Sequence, residues 1–232
     1  MAGGQYAPLP PPGESIPSVD FSPFLAEEGC VAGQPATAAQ REAAARIGEV
    51  FRLHGFLYLD NFGITAEDME LAFGESKALF SLSDASKEGI KRYSPVTNTG
   101  FSWFASESLN TARPPDMKEA FNIRSREHFT NDYTGCPEGF GSMAEGLWDK
   151  LREAARRMFL ACALALGIPD GEVAFFARTF AKMDLCTLRF LHCPPCDFDP
   201  EAVERDGGGG FRAIRIGEHT DFGMLTFLFH DA

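Results

Sequence analysis

The hydrophobic repeat of this chain changes near residue 180, and that change constrains its fold more than any other feature. Upstream, apolar residues recur at helical spacing; downstream they run in short blocks broken by Pro and Gly. The strongest helical stretch covers residues 143–166. There Leu147, Leu151, Met158, Cys162 and Leu166 repeat near the helical period, Ser142 and Glu145 have capping-box spacing, and Gly167 and Pro169 stop the run. A second helix is predicted over about 38–54, with Thr37 as N-cap, Gly55 at the stop, and Ile47, Val50, Phe51 and Leu53 on its apolar face. Thr65 and Asp68 open a third helix through roughly residue 82, and a short one covers about 171–179. Strands are predicted over 16–21, 56–59, 101–104, 120–123, 184–191, 213–216 and 223–229, the second and the last expected to be buried. Helices first and strands last make an α+β pattern.

Residues 1–15, with Pro8, Pro10, Pro11 and Pro12, read as a disordered or extended lead-in. The 22 Phe, against 4 Tyr and 2 Trp, suit a wide core between sheets and helices. A net charge of -12 repels polyanions, so neither nucleic acid nor an anionic membrane is an expected partner. No apolar run reaches membrane-spanning length, the best being residues 158–166 inside a helix. The chain does not open on a basic segment followed by an apolar core, and Ala2 follows Met1 where N-myristoylation requires Gly. The cysteines (Cys30, Cys136, Cys162, Cys186, Cys193 and Cys196) are scattered, and the expectation is reduced thiols in a cytoplasmic protein, with Cys162 as core packing.

The segment Gly217-Glu-His219-Thr-Asp221-Phe-Gly223 joins two strand-like stretches. Residues two apart in extended chain share a face, so His219 and Asp221 project together while Glu218 and Thr220 point away. An imidazole and a carboxylate so placed are two corners of a 2-His-1-carboxylate site for non-haem iron(II). They also suit a hydrogen-bonded surface pair, which is the reading that spacing alone favours. Cys193-Pro-Pro-Cys196 has redox or zinc spacing, yet it follows a strand rather than opening a helix and supplies at most two zinc ligands; a structural role is expected. The four glycines at 207–210 lack the Lys-Ser/Thr and following helix of a phosphate loop and read as a flexible connector. No G-x-S-x-G nucleophile elbow is present.

An ordered series of segments resembles one family. Ile16-Pro-Ser-Val-Asp-Phe21 is similar to its opening strand, and His54-Gly-Phe-Leu-Tyr-Leu-Asp-Asn-Phe-Gly-Ile64 to its "GFFYLxNHGI" signature, with Phe62 in place of the usual His. Asp116-Met-Lys-Glu-Ala-Phe121 looks like its "DxKExF" stretch, Ala163-Leu-Ala-Leu-Gly167 like the end of its long helix, and Leu188-Arg-Phe-Leu-His-Cys-Pro-Pro195 like its "LRxxxYPP" strand. Glu218-His-Thr-Asp-Phe-Gly-Met-Leu-Thr-Phe227 is similar to its metal-binding strand nearly residue for residue. The chain thus resembles the isopenicillin N synthase-like family of 2-oxoglutarate- and iron(II)-dependent dioxygenases, from residue 16 to its last residue.

The resemblance implies an α+β fold, a double-stranded β-helix (jelly roll) with flanking helices. It implies an oxidoreductase that uses Fe(II) and the co-substrate 2-oxoglutarate to hydroxylate, desaturate or cyclise a small organic substrate, with His219 and Asp221 as metal ligands. The implied organisation is a lead-in at 1–15, an N-terminal dioxygenase region at 16–135, and at 136–232 the long helix and first part of the jelly roll. The family's distal His, and the Arg-x-Ser pair that holds 2-oxoglutarate, would stand on strands after Asp221, and neither occurs before Ala232. The expectation is therefore a fold incomplete at its C-terminus and inactive as these 232 residues, with poor solubility and weak metal binding, and no completion of the triad by His54, His128, His192 or His230. Cys193 stands where the family has a Tyr that helps hold the co-substrate, and a thiol lacks the phenol's reach and hydrogen bond. A non-catalytic relative that binds a small molecule or protein partner is the alternative. Substrate identity and oligomeric state are not set by the sequence, with Phe101, Trp103 and Phe104 as either substrate contacts or packing.

Overall fold

The computed structural model describes residues 15–107, 115–179, 183–195 and 223–231. These fall into two compact units, Met1–Asp68 with Asp149–Met183, and Met69–Trp148 with Asp184–Ala232.

In the first unit, strand β1 (Ser18–Asp20) pairs in parallel with β2 (Tyr58–Asp60), and a 3-10 turn at Ser22–Phe24 follows β1. Between the strands runs helix α1 (Ala38–His54), with the boundaries the sequence predicts. Thr37 accepts from the Gln40 N–H while Gln40 reaches back to the Thr37 N–H, a full capping box. Gly55 takes the left-handed conformation at φ 79°, which a Cβ would disfavour, and donates to the Phe51 carbonyl. Gln40, Ala43, Ala44, Ile47 and Val50 form the buried stripe of α1, which packs on β1 and the 3-10 turn. Gly48 lies against the end of helix α4 (Phe140–Ala165), where a Cβ would come within 3.1 Å of the Ala165 Cβ. Tyr58 of β2 is 56% exposed, so this strand is not the buried one expected at 56–59: a two-stranded sheet covers only one side of it.

Helix α2 (Ala66–Phe80) begins at the predicted capping box, with Thr65 N–H on Asp68 at 3.0 Å and Asp68 N–H on the Thr65 hydroxyl at 3.2 Å. A short helix, α3 (Asp84–Lys87), punctuates the polar stretch that follows. Helix α4 starts earlier than predicted. Ser142 and Glu145 are not its cap; both lie inside the helix, where Glu145 accepts from Tyr133 Oη (2.6 Å), Asn131 Nδ2 (2.9 Å) and Arg126 (3.2 Å). Burial of Phe140 explains the early start, because its ring is fully enclosed and lies edge-on to Phe121 (5.1 Å) and Phe190 (5.0 Å). After α4, Gly167 at φ 73° closes the helix and α5 (Asp170–Thr179) follows, near the predicted 171–179.

The second unit holds a three-stranded antiparallel sheet, β3 (Gly100–Ser102), β4 (Glu119–Ile123) and β5 (Leu188–His192), in that spatial order. Strand β5 starts four residues later than the predicted 184–191, beginning only where β4 offers a ladder, with Ile123 opposite Leu188 and Glu119 opposite His192. Residues 223–231 form no strand among the described residues. Odd positions Leu225, Phe227 and Phe229 are half-buried, while Met224 and Leu228 are 51% and 82% exposed. The alternation is that of extended chain, but the two-faced burial expected of 223–229 is absent. The expected strand at 213–216 and the glycines at 207–210 lie outside the described residues.

The architecture is α+β, as expected. No helix among the described residues is long and apolar enough to cross a membrane.

Candidate functional site

The three-stranded sheet carries a group of charged and polar side chains, and its register sorts them onto two faces. Phe101, Glu119, Phe121, Ile123, Leu188, Phe190 and His192 share the first face. Rings cover it: Phe80 stacks on His192 at 5.3 Å and lies 6.3 Å from Phe101, and Tyr133 lies on Phe121 at 6.0 Å. Phe101 is 1% exposed, so it is core; Trp103 meets it edge-on at 5.7 Å, and Phe104 is 42% exposed.

Within that apolar face sits a buried ionic network. Lys87 Nζ lies 2.9 and 3.1 Å from the two Glu119 carboxylate oxygens, and His192 Nδ1 lies 2.8 Å from Glu119 Oε1. The Lys87 and Glu119 side chains are almost fully enclosed. A carboxylate can only accept, so His192 Nδ1 donates to Glu119, which accepts from both Lys87 and His192. The network ties α3 and β4 to the last residue of β5, immediately before Cys193. Sequence reasoning passed over this trio. The signal was there in part: two charged residues, Lys118 and Glu119, adjoin the strand predicted at 120–123.

The opposite face carries Gly100, Ser102, Ala120, Asn122, Arg189 and Leu191. Lys118 pairs with Asp116 at 2.5 Å and approaches Glu107 at 3.7 Å, and Arg189 also pairs with Glu107. Asn122 donates its amide to Asn98 Oδ1 at 2.9 Å.

His219 and Asp221 lie outside the described residues, as does Cys196. Cys193 is half-buried, immediately after the last residue of β5. Of the other histidines, His54 ends α1 in the first unit, and His128 is exposed in a turn, its N–H on the Ser125 carbonyl. His230 is exposed, 3.2 Å from the Asp231 carbonyl. Among the described residues, no three His, Cys, Asp or Glu side chains are grouped as a metal site. The other thiols suit packing rather than reactivity: burial pushes Cys162 up to about 11 and Cys136 up to about 12. In the first unit a cleft of about 380 Å³ includes Phe62, the residue that replaces the family's His. Its charged walls are already paired, Arg157 with Glu27 and Glu153, and Lys150 with Asp68, so it presents no convergent free groups.

An α+β arrangement of this kind does not by itself fix a class, and comparison with known proteins supplies it. The family described as non-haem dioxygenase in morphine synthesis, N-terminal, matches residues 16–137, and the chain belongs to it, among the 2-oxoglutarate/Fe(II) oxygenases. The chain is 25% identical over 231 residues to the 2-oxoglutarate-Fe(II) type oxidoreductase hxnY of Emericella nidulans, covering 93% of this chain and 60% of that one. It is also 25% identical to the 2-oxoglutarate-dependent dioxygenase citB of Monascus ruber, covering 93% and 65%. Among solved structures, a full-length Neurospora crassa protein crystallised with alpha-KG superposes with a TM-score of 0.68 at 26% identity, covering 93% of this chain and 63% of its own. The same protein with alpha-KG and 5-formyluracil gives 0.67 at 27%, covering 94% and 63%. The chain therefore spans less than two thirds of the length of these relatives.

Proposed function

We propose that this protein is an Fe(II)- and 2-oxoglutarate-dependent dioxygenase acting on a small organic substrate, with His219 and Asp221 as two of the iron ligands on a strand of a jelly roll. We further propose the division into a lead-in (1–15), an N-terminal region (16–135) and a segment carrying the long helix and the metal strand (136–232). The observation that carries the reading is the unbroken order of family segments from Ile16 to Phe227, the first part of which lies within the matched 16–137. The N. crassa structures, crystallised with alpha-KG and with thymine or 5-formyluracil, support a small-molecule substrate.

The donor set fits the metal in kind. A neutral imidazole and a carboxylate are the ligands non-haem iron(II) prefers, and two such residues two apart in extended chain face one way. When bound, the metal would supply activation of dioxygen for the oxidative decarboxylation of 2-oxoglutarate and oxidation of the substrate. The chain's own part is positional. The Lys87–Glu119–His192 network holds the end of β5, and Cys193 stands at the position from which the resemblance expects a Tyr to reach the co-substrate, so any contact there is a weaker one from a shorter side chain.

The test uses Co(II) as a spectroscopic stand-in for iron, followed by 2-oxoglutarate-dependent oxygen uptake of the full chain. Co(II) absorption that His219→Ala and Asp221→Ala both remove, with circular dichroism unchanged, supports the site. Metal binding indifferent to both substitutions overturns it. Metal binding without 2-oxoglutarate turnover is expected of these 232 residues, in which no Arg-x-Ser pair follows Asp221, and does not by itself favour a non-catalytic relative.

A further inference from the structure

Helices α4 and α5 each bring one arginine to a second, smaller cleft in the first unit, of about 140 Å³. Arg156 and Leu160 lie one turn apart on one face of α4, and Ala174 and Arg178 stand in the same i, i+4 relation on α5. Cys30 and Val31, from the turns before α1, also line it. Ala174 is half-buried and Arg178 exposed, so the cleft opens to solvent on the α5 side. Among the described residues, no carboxylate lines it.

The charges here run against the rest of the chain, whose net charge is -12. Arg156 uses Nε and Nη2 on the Glu153 carboxylate at 2.9 and 2.7 Å, and its Nη1 engages no described residue. Glu153 is itself shared, since Arg157 Nε lies 2.6 Å from it, so it offsets Arg156 only in part. Arg178, in the last turn of α5, makes no ion pair among the described residues. Two like charges beside one cleft repel each other, and an anion between them relieves that repulsion. Burial pushes the Cys30 thiol up, so it faces the cleft as a neutral S–H and adds no competing negative charge.

We propose that this cleft binds a small carboxylate with a short apolar tail. The carboxylate takes the Arg178 fork and the unused edge of Arg156, because a planar guanidinium matches a carboxylate with parallel N–H···O bonds. The tail lies on Val31, Leu160 and Ala174, the apolar part of the lining. The volume is the share of about five waters at ~30 Å³ each, enough for a carboxylate carrying about three carbons and too small for a drug-sized ligand. An inorganic oxyanion suits the cleft less well, since it meets the two arginines but leaves the apolar wall uncovered. The site uses no residue assigned to the metal or to 2-oxoglutarate, so the inference does not rest on the dioxygenase reading.

The test is ligand-observed NMR and calorimetry on the full chain at low ionic strength with butyrate, against butyramide as the uncharged analogue and inorganic phosphate as the anion without a tail. Butyrate should bind, and both controls should bind more weakly. Arg178→Gln should weaken butyrate binding about tenfold or more, the loss of a charge-assisted contact, with circular dichroism and urea stability nearly unchanged because Arg178 holds no described partner. Ala174→Leu keeps both charges and a good helix former while filling the cleft, and should abolish binding. Butyrate binding that is absent, is matched by butyramide or phosphate, or is indifferent to either substitution overturns the inference. None of these measurements involves a metal, so they are decided separately from the Co(II) test of His219 and Asp221.

Discussion

Replacing Glu119 by Gln preserves shape and the acceptor for His192 but leaves the Lys87 ammonium without a counter-charge. The exposures set the magnitude: the Lys87 side chain is 8% exposed and that of Glu119 6%, so water cannot solvate the stranded charge. Breaking one partner of such a buried pair costs about 3–5 kcal/mol. Part of this is offset by the Phe101 ring, whose centroid lies 5.9 Å from Lys87 Nζ, and by the Gln oxygen, which still accepts from the ammonium. The expected loss for Glu119→Gln is therefore near the lower end, about 3 kcal/mol. The double variant Lys87→Met, Glu119→Gln removes the stranded charge and should recover most of that loss, giving a coupling of about 2 kcal/mol or more. Urea unfolding followed by circular dichroism measures both. A cost below about 1 kcal/mol for Glu119→Gln, or strictly additive single and double variants, would show that the pair is solvated and the reasoning wrong.

Two further outcomes follow from the first unit. Gln40 is fully enclosed and accepts from the Cys30 and Thr37 N–H groups while donating to the Pro23 and Glu28 carbonyls, so Gln40→Leu should cost about 3 kcal/mol or more by orphaning these groups; a loss under about 1 kcal/mol in urea would refute it. Hydrogen bonds from Arg156 first and Arg157 next, against the opposing effect of burial, hold Glu153 at about 2 in the folded chain, below its ordinary 4.5. Its contribution to stability is then complete above pH about 4.5 and lost as pH falls toward 2, so the stability gap between wild type and Glu153→Gln should close over that window, and a gap that widens on acidification would contradict the pairing.

Much of the fold was legible because its signals are local. Thr37 and Gly55 bound α1 through hydrogen bonds within one turn, and the Thr65–Asp68 box does the same for α2. The start of α4 was misjudged because Ser142 and Glu145 have the right spacing, whereas Phe140 and Glu145 answer to distant partners, the rings of Phe121 and Phe190 and the side chains of Tyr133 and Asn131. Strand limits failed for a related reason: β5 begins where β4 offers hydrogen bonds, and residues 223–229, however apolar, form no ladder among the described residues.

The sequence alone determined the α+β order, the helix limits set by caps, and the family. Each depends on residues close in the chain or on an ordered set of motifs. Only the tertiary structure decided that Glu119 is shared by Lys87 and His192, and that one sheet face is closed by aromatic rings. It alone brought Arg156 and Arg178 to one cleft. The physical reason is range. A cap or an alternation is settled within a few residues, whereas a shared buried charge exists only once strands 20 to 70 residues apart have found their register.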